Sequence, residues 1–182
     1  MGAIKRLPTF DPKSGELFVV IETPKGSRNK YAFNENLGLF ELRRVLPRGM
    51  LFPFDFGFVP ATEAEDGDPL DVLMLLEDSA PQGCLIRARA IGIIEARQRE
   101  AKGDWERNDR LLAVAAQAKL HSDLRSLKEL NPRVLDEIEA FFHEYNKMDG
   151  KEFEPIKRAG PNAAMDLVSK AEERKRSGKK AA

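Results

Sequence analysis

Cysteine and long apolar runs are scarce in this sequence of 182 residues. The single cysteine, Cys84, excludes an internal disulfide framework and is typical of a protein from a reducing compartment. No run of about 18 apolar residues occurs, so we expect no membrane partner, and the first residues lack the apolar core of a signal peptide. These absences predict a cytoplasmic protein.

Net charge and catalytic histidines are also missing. The 30 basic and 30 acidic side chains cancel, which argues against a nucleic-acid binder held by bulk charge. The two histidines, His121 and His143, fit no His-Glu-x-x-His motif, and neither a Gly-x-Ser-x-Gly elbow nor a Walker loop occurs. Covalent catalysis therefore has little support, whereas a metal-activated water remains compatible with the sequence.

The pattern along the chain predicts an α+β protein dominated by strands. Short strand-forming segments separated by turns predict a small closed barrel; they cover residues 17–22, 30–33, 39–45, 72–76, 85–95 and 110–115. The remainder is expected to be helical, with one helix capped by Asn131 and Pro132 and another that starts near Asn162 and frays from Glu172. We expect a single domain over 1–182, with an arm over 1–15 and a charged, disordered tail over 170–182.

The most informative stretch is Asp66-Gly67-Asp68-Pro69-Leu70-Asp71, named here the acidic segment. Its three carboxylates repel one another, which is tolerable if all point into water or if a divalent cation lies among them. An EF-hand is excluded, because Asp71 falls where that loop requires glycine. A magnesium or manganese site and a solvated turn both remain open from the local chemistry.

Four segments in order resemble the family I soluble inorganic pyrophosphatases, as a divergent branch of the bacterial type. They are residues 19–24, 52–58, 66–73 and 141–145, within a resemblance that spans roughly residues 17–160. The resemblance implies a five-stranded OB-like closed barrel with flanking helices. It also implies Mg²⁺-dependent hydrolysis of pyrophosphate to two phosphates, with Mn²⁺ as a possible substitute, and a homo-oligomer that is a hexamer in the bacterial type.

The same resemblance implies a role for individual side chains. Asp66, Asp68 and Asp71 match carboxylates that bind metal, and Asp68 matches the base that takes a proton from the attacking water. The implied substrate-binding residues are Glu22, Lys30, Arg44, Phe56, Arg110 and Tyr145.

The sequence departs from the family pattern most in the hairpin over residues 98–110. Gln98 and Asn108 fall where two metal-binding aspartates are usual, and Arg110 falls where a lysine is usual. Asp104 and Asp109 are the candidates for substitute metal ligands, although Asp109 alternates to the opposite face from Arg110 unless a bulge intervenes. Further departures are Ala32 for a glutamate, Phe52 and Phe56 for tyrosines, and Asn146 for a lysine, with Lys147 adjacent.

Two other functions remain open. The departures at Ala32, Asn108 and Asn146 are compatible with a relative that binds phosphate or metal without turnover. A barrel of this kind can also bind single-stranded nucleic acid, but the balanced charge argues against a nucleic-acid partner.

Overall fold

A ring of strands forms the centre of the fold. The computed structural model describes residues 3–181, so residues 1, 2 and 182 of the predicted arm and tail lie outside the described residues. The strands are β1 (Leu17–Thr23), β2 (Asn29–Asn34), β3 (Leu39–Val45), β4 (Asp55–Phe58), β5 (Asp71–Leu75), β6 (Leu85–Glu100), β7 (Glu106–Arg107), β8 (Arg110–Ala115) and β9 (Lys151–Ala159). The α-helices are α1 (Pro132–Lys147) and α2 (Pro161–Ala181), and short 3-10 helices cover Ala3–Arg6 and Leu127–Glu129.

The ring runs in the order β1-β4-β5-β8-β6 and closes where β6 pairs with β1. Its pairings are antiparallel except for the parallel pair β5 and β8. This OB-like barrel with two flanking helices confirms the predicted α+β fold class, and β2 and β3 form a separate hairpin beside it. Within the described range, no helix combines the length and apolar character needed to cross a membrane.

The close pairing of β1 with β4 requires glycine at position 57. A Cβ placed there would lie 2.2 Å from the carbonyl oxygen of Val20, a distance that the backbone of β1 could not accommodate. Phe56 and Phe58, on either side, are both buried. This aromatic segment therefore forms a buried strand of the barrel that the predicted strand segments did not include.

Strand β9 contradicts the prediction that the chain after residue 115 is helical. Its alternating, half-exposed pattern gives no continuous apolar signal, and it is stabilised by pairing with β6, which extends past residue 95 to Glu100. Ion pairs of Arg97 with Glu154 and of Arg99 with Glu152, both at 2.7 Å, join the two strands. The sequence of β9 did not indicate a strand because this strand depends on pairing with β6, which is distant in sequence.

Helix α1 begins where its sequence predicts. The side chain of Asn131 accepts a hydrogen bond from the backbone N–H of Arg133 at 3.0 Å, and Pro132 occupies the first turn. The buried side of the helix carries Leu135, Ile138 and Phe142. The cap fixes where α1 starts, and the buried side orients the helix so that its end reaches the pocket described below.

Helix α2 continues to Ala181, past Glu172, where we expected fraying and a disordered tail. Ala164, Val168 and Ala171 recur at helical spacing and are fully buried. The guanidinium of Arg174 then donates to the carbonyl oxygen of Glu63 at 2.8 Å. These contacts hold a charged segment that has little apolar signal of its own.

Candidate active site

One pocket of about 690 Å³ lies between the acidic segment, the β2–β3 hairpin, the hairpin over residues 98–110 and the end of α1. Every predicted site residue except Asp104 and Asp109 lines it. The nine residues that it brings together are Glu22, Lys30, Arg44, Phe56, Asp66, Asp68, Asp71, Arg110 and Tyr145. Residues far apart in the sequence therefore converge on one cavity.

The acidic segment forms a tight turn at the edge of the pocket. Gly67 adopts a φ of 87°, a left-handed conformation that favours glycine. The backbone N–H of Asp68 donates to Oδ1 of Asp66 at 3.2 Å, while Asp71 starts β5 and is fixed by the barrel. The turn therefore presents two carboxylates on a loop and a third on a rigid strand.

The surroundings of Asp66 and Asp68 raise the pKa of both carboxyls. Partial burial by the pocket raises the pKa of both carboxyls, and the negative charge of Asp71 raises them further. The charges of Arg43 and Lys30 act in the opposite direction on Asp68. Asp66 and Asp68 are exposed to the pocket and face cationic side chains across it. A turn whose carboxylates only pointed into water would need no such cations opposite.

A buried ion pair, Glu22 with Lys30, forms the inner side of the pocket at 3.4 Å. Burial raises the pKa of Glu22 and lowers that of Lys30, although each charge favours the other. The second carboxylate oxygen of Glu22 accepts from the backbone N–H of Phe33 at 2.7 Å. The ammonium of Lys30 lies 3.7 Å from the centroid of the Phe56 ring, a cation–π geometry.

Arg44 and Tyr145 form the opposite side. The guanidinium lies 4.6 Å from the centroid of the Tyr145 ring and pairs with Asp149. Burial raises the pKa of the Tyr145 hydroxyl, which keeps it protonated and able to donate. Two guanidinium nitrogens of pocket residues, Nη1 of Arg44 and Nε of Arg110, are buried without a hydrogen-bond partner among the described residues. Such donors suit the oxygens of a phosphate.

The carboxylates that line the pocket are not gathered into a ready-made metal cage. Within residues 3–181, no three His, Cys, Asp or Glu side chains are close enough to hold a metal ion on their own. Asp71 has one oxygen, Oδ2, engaged by Nη1 of Arg110 at 2.7 Å. The acidic segment suits Mg²⁺, since Mg²⁺ usually takes one or two carboxylates and completes its shell with water and phosphate.

Comparison with known proteins agrees with this geometry. The inorganic pyrophosphatase family model matches residues 19–176. The inorganic pyrophosphatase of Synechocystis sp. is 36% identical over 165 residues, which cover 91% of this chain and 94% of that protein. The chain belongs to the inorganic pyrophosphatase family.

Solved structures of inorganic pyrophosphatases share the fold. The crystal structure from Thermus thermophilus superposes with a TM-score of 0.86 at 31% identity, covering 95% of this chain and 98% of that one. The structure from Neisseria gonorrhoeae gives a TM-score of 0.84 at 28% identity, covering 95% and 98% of the two chains. The family resemblance predicted from four short segments is therefore confirmed over most of the chain.

Asp104 and Asp109, which we proposed as substitute metal ligands, do not line the pocket. Asp109 accepts from the backbone N–H of Ala96 at 2.9 Å and pairs with Arg107 at 2.8 Å. Asp104 is exposed in the turn of the hairpin. No bulge reverses the strand at Arg110, which pairs regularly with Ile94, so the neutral Asn108 faces the pocket instead.

The lysine expected after Tyr145 is not replaced by its neighbour. Asn146 is buried, and its side-chain amide donates to the carbonyl oxygen of Phe142 at 2.8 Å, one turn back along α1. Lys147 lies on the outer face, 67% exposed, with Glu144 at 3.5 Å. Neither residue supplies the pocket with a cation.

Other pocket residues were missed. Lys151 starts β9, and Lys175 reaches the pocket from the part of α2 that we expected to be disordered. The ammonium of Lys175 lies 3.7 Å from Glu63 and 3.9 Å from Glu35, a residue that also lines the pocket. The basic composition of the tail was the only available signal, since the contact joins parts of the chain that are far apart in sequence.

Proposed function

We propose that this protein hydrolyses pyrophosphate to two phosphates with one attacking water. The observation that carries the proposal is the pocket in which three carboxylates of the acidic segment face Lys30, Arg44 and Arg110. Membership of the inorganic pyrophosphatase family, and relatives that carry that name, support it. Pyrophosphate is a small polyanion, and its hydrolysis depends on positioning and charge neutralisation, which such a pocket provides.

The cations would bind the two phosphates in different ways. Lys30 presents a point charge, which Glu22 and the Phe56 ring hold in place. Arg44 and Arg110 present planar guanidiniums, each with a buried N–H that has no partner within the described part of the chain. The hydroxyl of Tyr145 would donate to a phosphate oxygen. In this assignment Phe56 contributes only its ring face to the site.

The acidic segment would hold Mg²⁺, with Mn²⁺ as a substitute. Asp66 and Asp68 would supply oxygen ligands, and Asp71 its Oδ1, because Arg110 engages Oδ2. When bound, the ion supplies positive charge to the phosphoryl oxygens and makes a water more acidic. Asp68 would take a proton from the attacking water as the water oxygen bonds to phosphorus, while the bridging P–O bond breaks and the second phosphate leaves.

Phosphate release from pyrophosphate, measured with malachite green on pure protein with Mg²⁺, tests this function. We expect turnover that EDTA abolishes and that Asp68→Asn lowers by at least 100-fold, a typical contribution of a general base. Asp104→Asn is the matched control, since it removes the same charge at an exposed position outside the pocket.

Two results would overturn the proposal. Unchanged turnover in Asp68→Asn would remove the assigned base. Tight pyrophosphate binding by calorimetry without any phosphate release would instead identify a binding protein, a result that the neutral Gln98 and Asn108 in the pocket make worth testing.

We also propose that the protein acts in the cytoplasm as a homo-oligomer, a hexamer if it assembles like the bacterial type. Its single cysteine is compatible with a reducing compartment. Apolar side chains that are more than half exposed lie on the β2–β3 hairpin, a surface that a second copy could cover; they are Leu37, Leu39, Leu42 and Val45. Light scattering after size-exclusion chromatography measures the state, and a monomer at micromolar concentration would contradict the proposal.

A further inference from the structure

Arg110 is a charged residue that is only 4% exposed, and it lies where the acidic segment meets the hairpin. Its Nη1 donates to Oδ2 of Asp71 at 2.7 Å and to Oδ1 of Asn108. It also lies 3.2 Å from the carbonyl oxygen of Asp109. One nitrogen atom therefore contacts three oxygens from two walls of the pocket.

Aromatic packing fixes the position of this charge. The guanidinium carbon lies 4.7 Å from the ring centroid of Phe142 and 5.9 Å from that of Phe153. Both rings are buried in the core. An arginine stays protonated throughout the working pH range. The site therefore contains a permanent positive charge that does not depend on dissolved metal.

The oxygens that Arg110 contacts are of the kind that a divalent cation would use. Carboxylate, amide and carbonyl oxygens are ligands of Mg²⁺ and Mn²⁺. An ion that bridged Asp71 Oδ2 and Asn108 Oδ1 would have to occupy the place of Nη1. The other pocket-facing hairpin residue, Gln98, is also neutral, so this wall adds no carboxylate that could attract a second ion past the guanidinium.

We propose that the Arg110 guanidinium takes the place of one divalent cation, so that this pocket binds a single metal ion where a two-metal phosphoryl-transfer site binds two. The remaining ion would be held by Asp66, Asp68 and the Oδ1 of Asp71, which Arg110 leaves free. The role of that ion rests on the proposed function, but the number of bound ions does not.

The test counts bound Mn²⁺ per chain from the loss of the free Mn²⁺ EPR signal, without substrate. Four proteins are compared: the wild type, Asn108→Asp, the double variant Asn108→Asp/Arg110→Gln, and the control Asn108→Asp/Arg97→Gln. We expect the double variant that lacks Arg110 to bind one more Mn²⁺ than Asn108→Asp alone, which should match the wild type. The control removes the same charge from a residue outside the pocket, 41% exposed, and should also match the wild type.

Three results would overturn the inference: two Mn²⁺ per wild-type chain, a gain in Asn108→Asp with Arg110 in place, or an equal gain in the Arg97 control. Melting curves with and without Mn²⁺ check that each variant folds. If the double variant does not fold, two Mn²⁺ in the wild type or a gain in Asn108→Asp would still overturn the inference. An inactive protein with the expected counts would contradict the proposed function alone, and an active wild type with two ions would contradict this inference alone.

Discussion

The acidic segment and the hairpin over residues 98–110 are two walls of one pocket with opposite charge. The first carries three carboxylates within six residues, and the pKa of two of them is raised. The second faces the cavity with two neutral amides and the buried guanidinium of Arg110. The pocket therefore combines a wall that attracts cations with a wall that already contains one.

The difference follows from how each wall orients its side chains. In the acidic segment a short turn at Gly67 sets the directions locally, so three nearby residues can all reach the same cavity. On the hairpin, strand alternation sends neighbours to opposite faces, so Asn108 and Arg110 face the pocket while Asp109 faces Arg107. A carboxylate in the hairpin sequence therefore does not by itself identify a metal ligand, because its position along the strand decides whether it points into the pocket or away from it.

Asp71→Ala should show the largest combined effect on stability and activity, because it removes the bond between the two walls. The Arg110 side chain, 5% exposed, would lose its carboxylate partner, which should lower the free energy of unfolding by about 2 kcal/mol, after allowing for the partial exposure of Asp71. Phosphate release should fall on the order of 100-fold, since a charge next to the reacting groups is lost. Urea unfolding and the malachite green assay measure the two effects. The comparison of the walls would be broken if Asp104→Ala, in the exposed turn, cost as much in either measurement.

Asp109→Asn should separate stability from activity. The change weakens the contacts of Asp109 with Arg107 and with the backbone N–H of Ala96, and should cost about 1 kcal/mol of unfolding free energy. Phosphate release should stay within twofold of the wild type, because the side chain points away from the pocket. A loss of activity as large as that of Asp71→Ala, in a variant that is still folded, would return Asp109 to the metal site.

Most of the barrel and one wall of the site could be predicted from the sequence. Strands β1, β5 and β8 are short buried runs of strand-forming residues, and Asn131 and Pro132 indicate where α1 begins. The acidic segment was predictable because its chemistry lies in adjacent residues. Alternation along the hairpin also predicted correctly that Asp109 would oppose Arg110.

What could not be predicted depends on contacts between distant parts of the chain. Strand β9 is half exposed and exists through its pairing with β6, and α2 is held by buried small residues and by Arg174. The position of Arg110 under Phe142 and Phe153 requires the packing of α1 and β9 against the barrel. Sequence patterns report local preference and burial, but not which side chain of another element will lie opposite.

Lys175→Ala should have the smallest effect. It tests whether a positive charge at the rim of the pocket, outside both walls, helps to bind pyrophosphate. The ammonium lies between Glu35 and Glu63 and is partly exposed, so water and salt screen its charge. We expect KM for pyrophosphate to rise about threefold at low salt, in line with a partly screened ion pair, and kcat to stay unchanged. The difference should shrink as ionic strength rises.

Arg176→Ala is the matched control, because Arg176 follows directly on α2 but is 69% exposed and pairs with Glu172. An equal rise in KM for both variants would mean that the charge of the helix as a whole, and not the reach of Lys175 into the pocket, attracts the substrate.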